Sequence, residues 1–391
     1  MYDKENFSAD KDVMSIFENK RDFKLNQICV PIWRYLGLND FSIKNYSLPE
    51  IEPYKVDYIN FQPEDFKKSI IMPTKQAGKS RCLYSYLNFK EVTSVSEDFV
   101  KLAENGFNSG IFIKIPQNKL IDSYVRLNFN LDRDNPIVMD HNIIIAEANS
   151  KITFIADYYT NDKEINAFHN GLTKIIAKDG AEVNVIKIQR MNDKSTHFDW
   201  NMASVEGSAK INWITVEIGS DISVTNYNSS LMGHYSTSNI YSAYLVDGDR
   251  KQDIYYTNNH FGKKSISNMF VEGVLKDRAR KVFKGDIDFK RGSSESKGSQ
   301  VEQVLLLDPT VKTDSVPMLL CEEENVDGSH AASVGRIDED ELFYLMSRGF
   351  NYSEAQKLII EARFNPIFDK IPADDLKKFL SEELNRRIMN E

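Results

Sequence analysis

The chain is poor in cysteine: its 391 residues include only Cys29, Cys82 and Cys321, which lie far apart in the sequence. An odd, widely spaced set is not typical of a disulfide framework or of a zinc site. Scarce, unpaired thiols are usual where the surroundings keep cysteine reduced, so we expect a cytoplasmic protein.

Two further absences narrow the possible partners. No apolar run approaches the roughly 18–20 residues that would span a bilayer, and the N-terminal stretch MYDKENFSADKDVMS lacks the apolar core of a secretory signal. Positive charge is in deficit, since 49 lysines and arginines face 58 acidic residues and the net charge is -9. An acidic chain is not expected to bind nucleic acid or an anionic membrane surface.

Familiar catalytic motifs are missing as well. The sequence contains no G-x-G-x-x-G, H-E-x-x-H, G-x-S-x-G or EF-hand pattern. Its histidines are scattered and mark no catalytic constellation: His141, His169, His197, His234, His260 and His330. We therefore expect a protein that is not an enzyme.

What the sequence has instead is a repeat. Between residues 108 and 325 it consists of short runs rich in β-branched and aromatic residues, separated by small polar turns. Three segments align without gaps: Asn149–Ile155, Gly180–Ile186 and Ser208–Ile214. Looser equivalents begin at Asp247, Asp277 and Asp308, so the turns recur roughly every 30 residues.

This period, with a strand, a turn and a strand in each unit, predicts a mostly β protein built as a stacked solenoid. One unit cannot bury its apolar face alone, whereas neighbours in a stack bury each other's faces. A parallel β-helix satisfies the pattern. An antiparallel sandwich is the alternative, although its turns usually recur every 8–12 residues or so, about a third of the spacing seen here.

Helical patterns flank the repeat and divide the chain into a mixed N-terminal region (1–107), a β-helix core (108–325) and a helical C-terminal region (326–391). In the N-terminal region, residues 12–36 and 97–104 have helical spacing.

The C-terminal region predicts three helices. The first runs from Asp338 to Arg348 and ends at Gly349, the second is opened by Ser353 with Pro366 placed to interrupt it, and the third covers residues 374–389. We expect these helices to cap the open end of the solenoid and to hide its unpaired strand edges.

The start of the C-terminal region carries a specific signature. Residues 328–349 read GSHAASVGRIDEDELFYLMSRG. This run resembles the C-terminal signature of the SufB/SufD family, in which a Cys-Ser-His-Gly-Ala-Thr-like run leads into a Leu-Phe-Tyr-x-x-Ser-Arg-Gly helix. Upstream, residues 110–116, His260 with Ser265 and Ser267, and residues 271–285 follow in the family's order. The resemblance covers residues 108–372 well and the N-terminal region weakly.

The resemblance implies a right-handed parallel β-helix between helical regions, and a role as a non-catalytic scaffold in the SufBCD complex that assembles iron–sulfur clusters. A SufB partner would pair through the β-helix, and SufC, an ABC-type ATPase, would dock on the C-terminal helices. A homodimer of the isolated chain stays open. The candidate docking residues are Leu342, Phe343, Tyr344, Met346, Ser347, Arg348 and Gly349.

Within the family, the chain is similar to SufD rather than to SufB. It has Glu302-Gln303-Val304 where SufB-like chains carry a cysteine, and Gly328-Ser329-His330-Ala331 where they carry Glu-His-Glu. His330 matches the SufD histidine thought to act at the interface, and a neutral imidazole is a reasonable iron ligand. The alternative is a structural histidine that fixes the junction between solenoid and helices.

An iron–sulfur cluster usually needs four thiolates, so the isolated chain is not expected to hold one stably. A transient cluster, or iron, at the SufB interface would draw its thiolates mainly from the partner, because Gly328 replaces the cysteine that SufD-like chains often carry two residues before the histidine. Cys321 is a weak second candidate ligand, and a small buried thiol is the alternative interpretation.

Two other functions stay open. One is a SufB-like subunit that itself nucleates the cluster, which the missing thiolates disfavour. The other is a carbohydrate-active β-helix enzyme, which would need a groove of clustered acids that the sequence does not reveal.

Overall fold

The computed structural model describes residues 57–59, 65–80 and 97–389. The helical spacing noted over residues 12–36, together with Cys29 and Cys82, lies outside these residues. The strands are β1 Asp57–Ile59, β2 Ile70–Pro73, β3 Ile111–Ile115, β4 Leu120–Asn130, β5 Ile137–Val138, β6 His141–Ala146, β7 Lys151–Tyr159, β8 Phe168–Ala177, β9 Glu182–Arg190, β10 Thr196–Val205, β11 Lys210–Glu217, β12 Ile222–Leu231, β13 Thr237–Val246, β14 Lys251–His260, β15 Ile266–Leu275, β16 Arg280–Phe289, β17 Lys297–Leu306, β18 Lys312–Cys321 and β19 Asp327–Gly335. The helices are α1 Thr74–Ala77, α2 Glu97–Gly106, α3 Glu339–Ser347, α4 Tyr352–Phe368 and α5 Asp374–Met389.

The strands form two sheets that wind together as a parallel β-solenoid of about eight turns. Sheet A has the order β1-β4-β7-β9-β11-β13-β15-β17-β19, and sheet B has the order β18-β16-β14-β12-β10-β8-β6-β3-β2, with β5 beside β8. From β7 onwards each turn contributes one strand to each sheet, and neighbouring strands pair in parallel. The predicted solenoid is confirmed, and the antiparallel sandwich is excluded.

The repeat has two kinds of turn. The three gapless segments lead into β7, β9 and β11, which all belong to sheet A. The looser equivalents at Asp247, Asp277 and Asp308 lead into β14, β16 and β18, which belong to sheet B. The loops at Asp247, Asp277 and Asp308 therefore lie on the edge of the solenoid opposite to the three gapless segments. The predicted spacing of about 30 residues nevertheless corresponds to one full coil of the solenoid.

Alternation along the strands sorts side chains between the interior and the outer faces. In β11, Ile211 and Trp213 join the interior core, while Ile214 and Val216 join an outer cluster that includes α4 and α5. That outer cluster continues along sheet A through Ile186, Leu245, Val274 and Leu305. An apolar stripe on the outside of sheet A is thus available for the C-terminal helices to cover.

The C-terminal helices cover that stripe instead of capping the end of the solenoid. Helix α5 reaches back to the early turns, where Asp375 lies 2.6 Å from the Arg126 guanidinium of β4. Helix α4 packs beside β13 and β15, and its Arg363 donates to Gln303 of β17 at 3.1 Å. The expected end cap was wrong because an apolar stripe along the side of sheet A is buried by the helices.

The helix boundaries were partly predicted. Asp338 caps α3 by accepting from Asp340 N and Glu341 N, and Gly349 follows the helix with a φ of 102°. Helix α4 begins earlier than expected, at a capping box made by Asn351 and Glu354 rather than at Ser353. Pro366 lies in the last turn of α4, which continues past it to Phe368.

The two ends of the solenoid differ. At the N-terminal end, β1 pairs antiparallel with residues 126–128 of β4 and β2 pairs antiparallel with residues 111–114 of β3, so each first strand is paired over part of its length. At the other end, β18 and β19 are the terminal strands, and no described strand pairs with their outer edges. The solenoid runs past the boundary predicted at residue 325, because β19 is small, polar and almost wholly exposed and therefore lacks an alternating apolar pattern.

The described helices include none that is long and apolar enough to cross a bilayer.

Candidate functional site at the open end of the solenoid

His330 lies on β19, the exposed terminal strand of sheet A. Its register neighbour on β17 is Gln300, which is 1% exposed, and Val304 of the same strand belongs to the interior core. Positions two apart on a strand share a face, so Gln300 and His330 both belong to the inward column. Because the solenoid stops at β19, the imidazole of His330 is exposed at its open end.

The structure does not bring Cys321 and His330 together. Gly285 of β16 faces Gln300 across the interior, and the next turn places Pro317 beside Gly285 and His330 beside Gln300. Pro317 is therefore the residue opposite His330. Cys321 lies four residues further along β18, or about 13 Å at the usual rise of a strand. Its thiol is free and exposed, which rules out the alternative interpretation of a buried cysteine.

A buried ion pair lies just beneath the open end. Lys281 of β16 and Glu302 of β17 are paired through Nζ and Oε1, with both side chains fully buried. Glu302 also accepts from the Tyr244 hydroxyl at 3.0 Å and from Ser315 Oγ at 2.5 Å. Burial lowers the pKa of Lys281, and the neighbouring Glu302 opposes that shift. The turn beneath the last one thus contains a buried polar pair beside apolar core residues such as Phe283 and Val304.

Within residues 57–59, 65–80 and 97–389, no group of three or more His, Cys, Asp or Glu side chains is arranged to hold a metal ion. Any metal that His330 ligates therefore needs donors from outside the described part of this chain.

The candidate docking residues of α3 are split between two faces. Leu342 is buried, whereas Phe343, Tyr344 and Met346 are 74%, 56% and 44% exposed. Leu345, which the sequence analysis did not select, packs partly buried against the cluster under α4 and α5. Large apolar side chains with such exposures form an apolar patch on the outer face of α3.

The remaining candidates end the helix. Ser347 Oγ donates to the Tyr344 carbonyl at 2.7 Å, Arg348 N–H caps the last turn, and the Arg348 guanidinium lies 5.2 Å from the Tyr344 ring centre. Two exposed aromatic residues just beyond were missed by the sequence analysis: Phe350 lies between α3 and α4, and Tyr352 is the first residue of α4, one position before the start predicted at Ser353. A groove of about 450 Å³ joins α3 to the turn after β17 and is lined in part by Leu307, Pro309, Phe343, Met346 and Tyr352.

Comparison with known families matches residues 129–363, more than half of the chain, to the SufBD core domain of the SUF system for FeS cluster assembly. This chain belongs to the SufBD family. The match spans the solenoid from the end of β4 onwards, together with α3 and most of α4.

Individual SufBD relatives agree with this membership. The iron–sulfur cluster assembly protein SufD of Bacillus subtilis is 27% identical over 282 residues, which are 72% of this chain and 64% of that protein. A SufBD family protein of Mycobacterium leprae is 25% identical over 75% of this chain and 33% of its own length. One from Staphylococcus saprophyticus is 22% identical over 85% of this chain and 71% of its own length. This chain thus spans less than two thirds of the Bacillus protein.

The SufBD solenoid also contains a polar cluster that the sequence analysis missed. His169 Nε2 lies 2.5 Å from Asp140 Oδ1, His169 Nδ1 lies 2.9 Å from His197 Nδ1, and Lys187 Nζ donates to Asp199 at 2.7 Å. All five side chains are buried in the interior. Burial alone would raise the pKa of Asp140, but the charges of His169 and Lys187 keep it below its ordinary value.

A signal for this cluster was present in the sequence. Asp140, His169 and His197 are separated by 29 and 28 residues, which is close to one turn of the repeat. Residues one turn apart stack on neighbouring strands. The six histidines look scattered along the chain, but two of them share one interior column.

Proposed function

We propose that this chain is a non-catalytic, SufD-like scaffold subunit of a complex that assembles iron–sulfur clusters in the cytoplasm. It pairs with a SufB-type chain through the open end of its solenoid and docks a SufC-type ATPase through α3. The observation that carries the proposal is the last turn, formed by β18 and β19, whose outer edges no described strand pairs, whereas β1 and β2 pair with part of the opposite end.

An uncovered pair of strand edges is unusual in a protein that works alone. Edge strands offer unpaired N–H and C=O groups and are normally covered, shortened or charged. Here β19 spans nine residues, Asp327–Gly335, and its exposed positions include Val334 at 44%. A second solenoid with similar edges would provide hydrogen-bond partners for the unpaired N–H and C=O groups of both chains by strand addition.

The exposed face of α3 supports a second partner on a different surface. Phe343, Tyr344 and Met346 belong to the residue types that dominate interface energetics, and they flank a groove. Because α3 follows β19 directly, a partner that moves α3 pulls on the last turn. An ATPase docked there would transmit its conformational change to the open end.

We assign His330 to the binding of the cargo, meaning the iron or the iron–sulfur cluster under assembly. Its exposed imidazole at the open end would face the partner and could ligate iron or a transient cluster whose thiolates the partner supplies. In this scheme the chain positions cargo and partners and carries out no chemical step.

Co-purification tests the proposal. The full chain, tagged, is co-expressed with the SufB and SufC chains of the same genome, and the mass and stoichiometry of the eluted complex are measured. We expect a stable complex that contains both partners. Elution of a monomer or homodimer that ignores both would overturn the scaffold function, as would reconstitution of a stable cluster on the isolated chain.

Replacing Tyr344 with aspartate should abolish binding of the ATPase and leave the solenoid folded, because the side chain is 56% exposed and the charge falls in the apolar patch. The expected loss is at least 2 kcal/mol or so of binding free energy, roughly 30-fold in affinity, measured by calorimetry. Tyr235→Asp is the matched control, since Tyr235 is 59% exposed on a turn between β12 and β13. Unchanged ATPase affinity in Tyr344→Asp, with an intact fold, would contradict the assignment of α3.

A further inference from the structure

Gln300 is an unexplained polar residue beneath the open end. Its side chain is 1% exposed, yet neither Oε1 nor Nε2 makes a hydrogen bond. Most buried side-chain amides in folded proteins have a partner, because leaving one unpaired is unfavourable. An unpaired amide at this depth therefore calls for a ligand or a neighbour that it is placed to serve.

The opposite strand leaves space for this amide. A Cβ added to Gly285 would lie 2.4 Å from Gln300 Oε1, 2.5 Å from Nε2 and 2.6 Å from Cδ. The amide group of Gln300 therefore reaches across the interior to the backbone of β16. Gly285 does not have the positive φ that would itself require glycine, so the space is the feature that needs it.

The residue above Gln300 is His330. The two are register partners on β17 and β19 and share the inward column, so their side chains stack at the spacing of neighbouring strands, about 4.8 Å. Above Gly285 the next turn places Pro317, whose ring offers no hydrogen bond. Of the residues that surround the amide on the last turn, His330 is the one with a nitrogen to offer.

We propose that Gln300 is a positioning residue for His330. Its amide oxygen, which has no partner in the structure, would accept a hydrogen bond from one ring N–H of the imidazole; that bond would fix the ring orientation and leave the other nitrogen bare for iron. A histidine that ligates metal generally donates its second N–H to an oxygen that selects the tautomer. The inference rests on the proposed function in one respect, namely that His330 meets the cargo, and it adds the residue that prepares His330 for this role.

The contact is tested on the isolated full-length chain by NMR of ring-¹⁵N-labelled histidine, with the His330 signals assigned by their loss in His330→Gln. The ring ¹⁵N shifts report the tautomer. We expect one dominant tautomer in the wild type and a ratio close to that of free imidazole in two variants. Gln300→Met keeps the length of the side chain without its acceptor, and Gly285→Ala displaces the amide.

Ser299→Ala is the matched control, because Ser299 is adjacent to Gln300 but on the outer face, where it donates to Asn268. It should keep the wild-type tautomer ratio. The inference is overturned if wild type and Gln300→Met give the same ratio. Should Gly285→Ala fail to fold, Gln300→Met alone decides the matter.

A second measurement separates this inference from the proposed function. In the co-purified complex supplied with ferrous iron and inorganic sulfide, the rate of cluster formation is followed by visible absorbance. Gln300→Met should slow it by about tenfold with stoichiometry unchanged, which is typical of losing the partner of a ligating histidine. A wild-type rate in His330→Ala would refute the proposed role of His330 while leaving the NMR result intact. A wild-type rate in Gln300→Met alone would refute the positioning role.

Discussion

At the scale of single residues, the solenoid interior is notable for its ionisable groups. Lys281 and Glu302 are fully buried as a pair, and Glu302 is further satisfied by Tyr244 and Ser315. A buried ion pair has a large desolvation cost, so its net contribution to stability is small even when the cost of breaking it is high. Here the pair specifies how β16 faces β17 just below the last turn.

Replacing Lys281 with methionine should destabilise the protein by about 3–5 kcal/mol, because Glu302 stays buried without its counter-charge. The double variant Lys281→Met/Glu302→Leu should recover most of that loss, since no uncompensated charge then remains. Urea unfolding of the two single variants and the double variant measures the coupling. Additive losses in the double variant would contradict a tightly coupled pair.

Glu272 links the solenoid to α4 and makes stability depend on pH. Burial raises its pKa to about 7 from the ordinary 4.5, and Arg363, 3.6 Å away, opposes the shift. As pH rises from 4.5 towards 7, the unfolded chain releases this proton while the folded chain keeps it. The free energy of unfolding that Glu272 contributes therefore falls as the pH rises through that window. The destabilisation is complete above about pH 7.

Glu272→Gln should leave the free energy of unfolding unchanged at pH 5 and raise it at pH 8, by about 1 kcal/mol once solvent near the carboxylate is allowed for. The measurement is urea unfolding of both proteins at the two pH values. The same difference between variant and wild type at pH 5 and pH 8 would show that the carboxylate does not titrate in this window.

At the scale of elements, sheet A is aligned by a ladder of side-chain amides on its outer face. Asn212 donates to Asn184 at 2.7 Å, Asn239 donates to Asn212 at 2.8 Å, and Asn268 donates to Asn239 at 2.9 Å. Thr153 and Ser299 continue the ladder at its two ends. Identical residues one turn apart can bond in this way only when parallel strands are in register, so the ladder favours the observed stacking.

A buried arginine, Arg387, ties the C-terminal part of α5 to the solenoid. Arg387 donates to both carboxylate oxygens of Asp247 and to the Ile218 carbonyl, and its side chain is 6% exposed. Leu376, Leu380 and Leu384 supply the apolar contacts of the same helix. The arginine therefore sets where along the solenoid the helix sits, while the leucines supply its burial.

Arg387→Met should weaken docking of α5 by about 2 kcal/mol, because charge-assisted hydrogen bonds are lost and Asp247 is left partly buried. Hydrogen exchange should become faster across residues 374–389 and stay unchanged in β7 to β15. Arg386→Met is the control: Arg386 is 53% exposed beside Glu383, and its loss should change stability by less than about 0.5 kcal/mol. Equal effects of the two variants would contradict the anchoring role of Arg387.

At the scale of the whole molecule, the proposed association follows from the difference between the two solenoid ends. The N-terminal end is paired in part with antiparallel strands of the same chain, and the C-terminal helices lie along the side of the stack. The open end is thus the place where the stack can continue into another molecule, and association there creates a closed pair rather than a fibre when each partner has a single open end.

Val334→Glu should prevent pairing with the SufB-type partner while the free chain keeps its wild-type unfolding midpoint, because the side chain is 44% exposed on β19. Ile266→Glu is the matched control, at 42% exposure on β15 within the stack, and should leave pairing intact. Sedimentation of the mixed chains measures the complex. Normal pairing by Val334→Glu would place the interface elsewhere.

Much of the fold was readable in the sequence because a solenoid is specified locally. Each turn repeats the alternation that sends residues such as Ile211 and Trp213 inward, and neighbouring turns meet at a fixed spacing. The capping of α3 by Asp338 and its end at Gly349 were equally local. The site was predicted less well: His330 was selected by its signature, whereas Gln300, Phe350 and Tyr352 were overlooked because no local pattern marks them.

The sequence by itself determined the stack of turns, the order of its strands and the surface helix that follows it, since these depend on contacts between residues about one turn apart or closer. The tertiary structure alone decided that α4 and α5 lie along sheet A, that Cys321 and His330 stay apart, and that Gln300 fills the space left by Gly285 beneath His330. These outcomes depend on how two sheets and three helices share apolar surface and space, which no single segment encodes.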